Sequence, residues 1–334
     1  MVKQMMDLLI IGAGPAGISA AAAAQLAGLD YLVLEKGLLA HTVYRYPVGR
    51  LVFSTPHELE LEPETLHPCR AKPTREELLS YYVRYVLENK LKIHTEEAVT
   101  ELSGNLATGF TAHTAHGVYH AARLLVTTGA MAAPRRLGVT GEYLAKVQHR
   151  FIEPYPYVRK DVMVIGGGNS AAEAALFLAE DGARTTLAMR RRNWEEHDAA
   201  KGAIKAWVRE PILEQVAKGN LQIALVEAIE EITVTGVHLR YDGGAAKRVP
   251  NDAVFILIGH EPDFSLLQRL GVAFEREGKR TFPVYDAKTF ETNVPGVHVA
   301  GHFTRERHIK EAIAVPRRIV PLIAAKLRKA VVTA

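Results

Sequence analysis

The sequence predicts an α/β protein made of two Rossmann-like, three-layer dinucleotide-binding domains, the second inserted into the first. Two glycine fingerprints, Gly12-Ala13-Gly14-Pro15-Ala16-Gly17 and Gly166-Gly167-Gly168-Asn169-Ser170-Ala171, lie 154 residues apart. Each stands between a buried apolar run and an alanine-rich helical run, which is how a βαβ unit reads in sequence. The third observation is a return to strand, glycine and helix near the C-terminus, at Val297–Ala300, Gly301 and the residues beyond.

The elements follow in order. Asp7–Ile11 reads as a buried strand, Pro15–Ala27 as a helix with Gly28 at its C′ position, and Tyr31–Leu34 as the next strand. An irregular stretch, His41–Lys72, precedes a helix over Thr74–Asn89 and a strand over Arg123–Thr127 that ends in Thr128-Gly129. The second unit repeats the first: strand Asp161–Ile165, helix Asn169–Glu180, strand Arg184–Met189. A helix near 199–218 follows, then strands near 221–226, 229–234, 237–241 and 253–258. The last helix runs from about Arg307 to Arg328, with Pro316 as a kink or an early-turn residue.

Composition bounds the function. A chain of 334 residues suits about two domains. With 48% apolar and 23% charged residues, it can build an ordinary core without disulfide or metal staples. Net charge is +4, and the basic residues are scattered except for Arg190-Arg191-Arg192 and the C-terminal Arg317, Arg318, Lys326, Arg328 and Lys329. No stacking aromatics interleave with those runs, so a phosphorylated cofactor explains them better than nucleic acid. The single cysteine, Cys69, excludes an intrachain disulfide and suits a reducing cytoplasm. The apolar run Leu8–Ile11 ends in glycines, not in a cleavage site, and no run reaches the roughly 20 apolar residues of a membrane helix. No metal-ligand spacing and no Gly-x-Ser-x-Gly elbow occur, so neither a metal nor a serine nucleophile is expected.

The first fingerprint has a physical reading at each position. Gly12 permits the tight turn, Gly14 lets the backbone approach a pyrophosphate, and Gly17 allows close helix–strand packing. The helix N-terminus then faces the anion. Glu35, 18 residues beyond Gly17, stands at the end of the second strand to take ribose hydroxyls. The bland alternative is a glycine-rich turn beside a surface Glu. In the second fingerprint Ala171 replaces the third glycine. No acid ends its second strand; Arg190-Arg191-Arg192 stands there instead. Arginine pairs with a 2′-phosphate that an acid would repel, so the reading is NADPH over NADH. A solvated basic turn is the competing reading.

These segments resemble the two-dinucleotide-binding-domain flavoproteins, and within them the thioredoxin-reductase-like group. The resemblance rests on Ile10–Gly17, Leu124-Leu-Val-Thr-Thr-Gly129, Val164–Glu173, Met189-Arg190-Arg191, Phe255–Pro262 and Thr292–Gly301. A closer likeness, through Val43-Tyr44-Arg45-Tyr46-Pro47, Phe53-Ser54 and Lys146–Tyr157, is to the bacillithiol disulfide reductase (YpdA) subgroup. It implies FAD in a domain of residues 1–132 and 262–334, and NADPH in residues 133–261. Tyr44, Tyr46, Phe53 and Ser54 would line the flavin, and Lys36 and Val99 would lie near the adenosine. Thr128, Gly129, Gly301 and His302 would complete the flavin site, and Gly259 the return from the NADPH domain. It further implies a homodimer, and hinges near Gly129–Pro134 and Gly259–Pro262.

The chain also departs from its likenesses. It has no Cys-x-x-Cys pair, Ala16 stands where the bacillithiol subgroup carries a cysteine, and His302 replaces a family Asp. Cys69 beside Arg70 is read as either a redox thiol or an incidental loop cysteine. His302 is read as a flavin contact or a proton shuttle. Arg305, Arg307, His308 and Lys310 are read as positive charge at the flavin's pyrimidine edge, or as a solvated cap. The expected activity is NADPH-dependent reduction of FAD, then of a small disulfide or a redox partner protein. The alternatives are a ferredoxin, flavodoxin or quinone reductase, a flavin monooxygenase, and a non-catalytic NADPH sensor.

Overall fold

Each glycine fingerprint begins at the C-terminal end of a central strand in its own seven-stranded sheet. The computed structural model describes residues 5–198, 203–278, 280–306 and 308–332. The chain divides into two compact units, Met1–Ala132 with Pro262–Ala334, and Ala133–Glu261.

In the first unit, strand Met6–Ile11 lies parallel between Tyr31–Leu34 and Val118–Val126. Ile93–His94 extends one side. On the other, Val118–Val126 pairs with Val297–Val299 in parallel and with Gly109–His113 antiparallel. The strand order thus reverses at Met6–Ile11, and ligands of open α/β sheets bind at such a switch point. Leu8, Leu9 and Ile10 are fully buried, each worth about 1.5–3 kcal/mol. Helix Pro15–Leu26 covers the sheet with Ala20, Ala21 and Ala24, also fully buried. These small side chains let helix Ile309–Val332 approach closely, and Ser19 Oγ donates to the Ile313 carbonyl at 2.7 Å. Pro316 and Pro321 both lie inside that helix, which begins at Ile309 and continues past Arg328. Arg307 lies outside the described residues.

The stretch His41–Lys72 is not wholly irregular. His41–Tyr44 and Pro56–Leu59 each form one helical turn, the second closed by a Thr55–Glu58 capping box. Helix Arg75–Glu88 is capped the same way by Thr74 and Glu77. Its buried tyrosines pin the preceding loop. Tyr81 Oη accepts from Leu61 N–H at 2.7 Å, and Tyr82 Oη donates to the Leu59 carbonyl at 2.9 Å.

The second unit repeats the plan. Asp161–Ile165 lies parallel between Arg184–Met189 and Ala253–Ile256. The segment read as two strands, 221–226 and 229–234, is one strand, Leu221–Thr233. Register shifts at Val226/Ala228 and Ile229/Glu231 break its alternation without breaking its pairing. It carries an antiparallel hairpin, Gly236–Tyr241 with Ala246–Pro250, whose second strand sequence reading missed. The helix expected over 199–218 is Ala206–Ala217, and residues 199–202 lie outside the described set. Phe151 and Tyr157 pack edge-on against Phe255, so these aromatics of loop 151–157 serve the core.

Candidate functional site

Each unit carries a candidate site of its own, built on an equivalent turn. In the first, Gly12 N–H donates to the Leu34 carbonyl at 2.8 Å, and Gly12 holds φ +107°. A Cβ there would stand 2.8 Å from the Thr127 carbonyl oxygen, and one at Gly17 would stand 1.8 Å from the Gly12 carbonyl oxygen. Only glycine fits either place. Thr127, 5% exposed, locks the turn: its Oγ1 donates to the carbonyls of Ile11 (3.0 Å) or Gly12 (2.8 Å). In the second turn, Gly166 N–H donates to the Ala188 carbonyl at 3.0 Å. A Cβ on Gly166 would lie 2.4 Å from the Leu257 oxygen. Gly166 holds φ +154° where Gly12 holds +107°, and Ala171 is accommodated, fully buried, in the place of Gly17. Sequence reading missed Thr127 and Leu257, because each acts from a neighbouring strand end distant in sequence.

Gly14 and Gly168 cap the two helices, and neither has an atom within 4 Å of its missing Cβ. No side chain caps either helix. Both cradles therefore keep an open face at a helix N-terminus, which fits a pyrophosphate. Pro15 and Ala16 open the first helix; Asn169, Ser170 and Ala171 open the second.

The acid and the bases stand where the strands end. Glu35, 7% exposed, accepts Ala13 N–H at 2.7 Å on Oε2 and Gly37 N–H at 2.8 Å on Oε1. It therefore braces the first turn, and each oxygen keeps a lone pair for a ribose hydroxyl. Lys36 is exposed, and Val99 packs at the edge of the sheet core, between the strands Ile93–His94 and Glu101–Asn105. Glu97 N–H donates to the Glu35 carbonyl at 2.8 Å, so this loop is tied to the same acid. In the second unit Arg190, Arg191 and Arg192 are all exposed after Met189. Gly167 faces Asn193, whose Cγ would lie 2.5 Å from a Cβ.

The remaining expected residues fall in two groups. Arg50 stacks over Phe53 at 4.7 Å and over Tyr46 at 5.5 Å, and Tyr46, pushed up by burial against the pull of Arg50, packs on the core. Tyr44 is exposed; its carbonyl accepts from Arg75 Nη2 at 2.7 Å. Ser54 lies half-buried beside Phe53. Thr128 is exposed next to Gly129, which holds φ +73°. Gly301 holds φ +101°, and its missing Cβ would lie 3.3 Å from that of Ala16. His302 follows it, held below the ordinary histidine value by desolvation and then by His308. Gly259 holds φ +101°, its carbonyl accepting Arg135 N–H at 3.0 Å.

Three readings of charge are corrected. Arg305 is not a bare cation: Glu275 and Glu277 hold its guanidinium, which lies over Phe282 and Tyr285. Cys69 faces a carboxylate. Its N–H donates to Glu77 Oε1 at 2.8 Å. That backbone donor, with Thr74, holds the Glu77 carboxyl down to about 2, so a full negative charge sits beside a cysteine once read beside Arg70 alone. Arg191 is also taken: Nε lies 2.7 Å from Asp242 and Nη1 3.4 Å from Glu195. Among the described residues no cluster of metal-ligating side chains occurs, and no helix is long and apolar enough to cross a membrane.

Duplicate cradles, one ending in an acid and one in arginines, define an oxidoreductase that works with two dinucleotides. The chain belongs to the pyridine nucleotide-disulphide oxidoreductase family, whose model matches residues 9–301. It is an NADPH-dependent flavoprotein oxidoreductase that uses FAD and NADPH. It is 34% identical over 293 residues to the bacilliredoxin reductase Bdr of Bacillus subtilis (strain 168), covering 88% of each chain. The structure of the bacillithiol disulfide reductase Bdr from Staphylococcus aureus superposes with TM-score 0.89 at 31% identity, over 97% of this chain and 99% of that one. A ferredoxin–NADP reductase of Ignicoccus hospitalis is 28% identical over 310 residues, 90% of each chain.

Proposed function

We propose that the first cradle holds FAD, the second holds NADPH, and the electron acceptor is a disulfide: a small one such as bacillithiol disulfide, or that of a redox partner protein. The observation that carries this reading is the 34% identity to a bacilliredoxin reductase along 88% of both chains. When bound, the two cofactors supply the redox chemistry, hydride passing from nicotinamide to flavin and electrons onward to the acceptor.

The residues of the chain bind and orient. Gly12, Gly14 and Gly17 with the helix N-terminus at Pro15 and Ala16 take the FAD pyrophosphate, Glu35 its ribose, and Lys36 and Val99 its adenosine end. Tyr44, Tyr46, Phe53, Ser54, Thr128, Gly129, Gly301 and His302 take the flavin side. His302, its pKa lowered by desolvation and then by His308, offers that side a hydrogen bond. Gly166, Gly167, Gly168 and the start of helix Asn169–Glu180 take the NADPH pyrophosphate. The arginine turn after Met189 takes its 2′-phosphate. Residues 1–132 with 262–334 are then the FAD domain, and 133–261, closed by Gly259 and its neighbours, the NADPH domain. The working form is a cytoplasmic homodimer, which light scattering of the purified holoprotein tests.

With one cysteine in the chain, and that one against Glu77, no internal dithiol relays the electrons. The same fact favours a second reading, an electron-transfer reductase like the ferredoxin–NADP reductases. Anaerobic stopped-flow separates them. The holoenzyme is reduced with NADPH, then mixed with bacillithiol disulfide, ferredoxin, quinone or oxygen. Fast reoxidation by the disulfide supports the first reading; reoxidation by ferredoxin or quinone alone refutes it.

A further inference from the structure

Glu97 lies outside both fingerprints, yet it is 7% exposed and its carboxylate is held by three donors. Oε1 accepts from Thr114 Oγ1 and from Tyr119 Oη, the latter at 3.3 Å, and Oε2 accepts from His116 Nδ1 at 2.8 Å. All three donors belong to the hairpin Gly109–His113/Val118–Val126 or to its turn, 114–117. Thr114 also closes that turn, its Oγ1 accepting His116 N–H at 3.2 Å and Gly117 N–H at 3.0 Å. An ionised carboxylate gripped in this way, away from bulk water, makes a stiff joint between two loops.

The joint fixes the segment that encloses Glu35. Glu35 N–H donates to the His94 carbonyl at 2.9 Å, Glu96 N–H to the Gly37 carbonyl at 3.0 Å, and Glu97 N–H to the Glu35 carbonyl at 2.8 Å. Between these bonds Glu96 holds φ +57°, a left-handed conformation that costs an L residue free energy and so has to be held from outside. Further on, Arg269 Nη1 donates to the Thr100 carbonyl at 2.9 Å and holds the far side of Val99. We propose that Glu97 is a positioning residue for the adenosine half of the dinucleotide in the first cradle: by clasping the hairpin turn it holds Glu35 and Val99 where ribose and adenine bind. The proposal rests on the first cradle being the FAD site. It makes the turn 114–117, which lies outside the βαβ unit, a determinant of FAD affinity.

The test measures binding of FAD and of ADP to the full-length apoprotein. Flavin fluorescence reads FAD, and ADP in large excess is read by the FAD it displaces, so that only the first cradle is observed. Glu97→Ala weakens FAD and ADP by the same factor, about 10-fold or more, as expected where charge-assisted bonds no longer hold the adenosine side. Thr114→Val weakens both about 3- to 10-fold and adds nothing to Glu97→Ala, because the two act through one joint. FAD affinity within about 2-fold of the parent in Glu97→Ala overturns the proposal, whatever happens to the melting temperature, and so does a loss of FAD affinity that ADP does not share. If Glu97→Ala fails to fold, Glu97→Gln, which keeps the shape and removes the charge, decides: binding of both ligands weakened about 3-fold or more supports the role, and parental binding refutes it. Glu35→Ala tests the reading beneath the proposal. If it too binds FAD as the parent does, the FAD reading of the first cradle fails; if it loses FAD while Glu97→Ala does not, only the role of Glu97 falls.

Discussion

A methyl group at Gly301 would stand 3.3 Å from the Cβ of Ala16. The two residues come from opposite ends of the chain and meet because strand Val297–Val299 pairs with Val118–Val126, which pairs with Met6–Ile11. The glycine loop and the last strand therefore close on one another at the site assigned to FAD.

Gly301→Ala tests that closure. Its backbone, at φ +101°, is one that L side chains rarely adopt, and the contact with Ala16 is tight. Strain of about 1–3 kcal/mol is expected, with roughly 5- to 100-fold weaker FAD retention. Apoprotein titrated with FAD and followed by flavin fluorescence reads this directly; affinity equal to the parent protein refutes the placement of Gly301.

Glu35→Ala removes the acceptor of both Ala13 N–H and Gly37 N–H. Charge-assisted bonds of this kind are worth about 1.5–3 kcal/mol. A loss of about 10- to 100-fold in FAD affinity is expected in the same titration, with little effect on binding of adenosine 2′,5′-bisphosphate.

Cys69→Ser is expected to leave both flavin reduction and reoxidation within about 2-fold of the parent. The thiol is exposed and, as the one cysteine of the sequence, has no resolving partner within it. Stopped-flow traces with bacillithiol disulfide check this; a loss beyond 10-fold would restore Cys69 as a redox group.

Acid should destabilise the fold through His298. The residue is 1% exposed, and burial, opposed by Glu291, holds its pKa down to about 4. In the unfolded chain it titrates near 6.5. Between these values the unfolded state binds more protons, so stability falls as pH drops from about 6.5 to about 4, by up to roughly 1.4 kcal/mol per unit. Glu291 acts in the same direction: against the upward push of burial, Lys326 and Gly296 N–H hold its carboxylate below the usual range. Thermal melts from pH 7 to pH 4 should show a falling Tm, with a shallower slope in His298→Leu.

Much of the site was legible because its signals are local. The glycine positions, the helix starts, Glu35 and the arginines follow from spacing within single βαβ units, where chain geometry leaves few alternatives. The strands Tyr31–Leu34, Asp161–Ile165 and Arg184–Met189 were legible for the same reason. The long bulged strand Leu221–Thr233 was not, because register shifts disturb the period-2 pattern that reading relies on.

The sequence by itself determined two cradles, their different charge, and the absence of an internal dithiol. Only the tertiary structure decided which charges remain available. Glu275 and Glu277 claim Arg305, Glu77 faces Cys69, and Asp242 ties Arg191. It also supplied the Thr127 and Leu257 carbonyls that make glycine obligatory at the two turns. The physical reason is the same throughout. A turn depends on neighbouring dihedral angles, which adjacent residues set, whereas an ion pair or a steric wall depends on distances of a few ångströms between residues that only strand pairing and packing bring together.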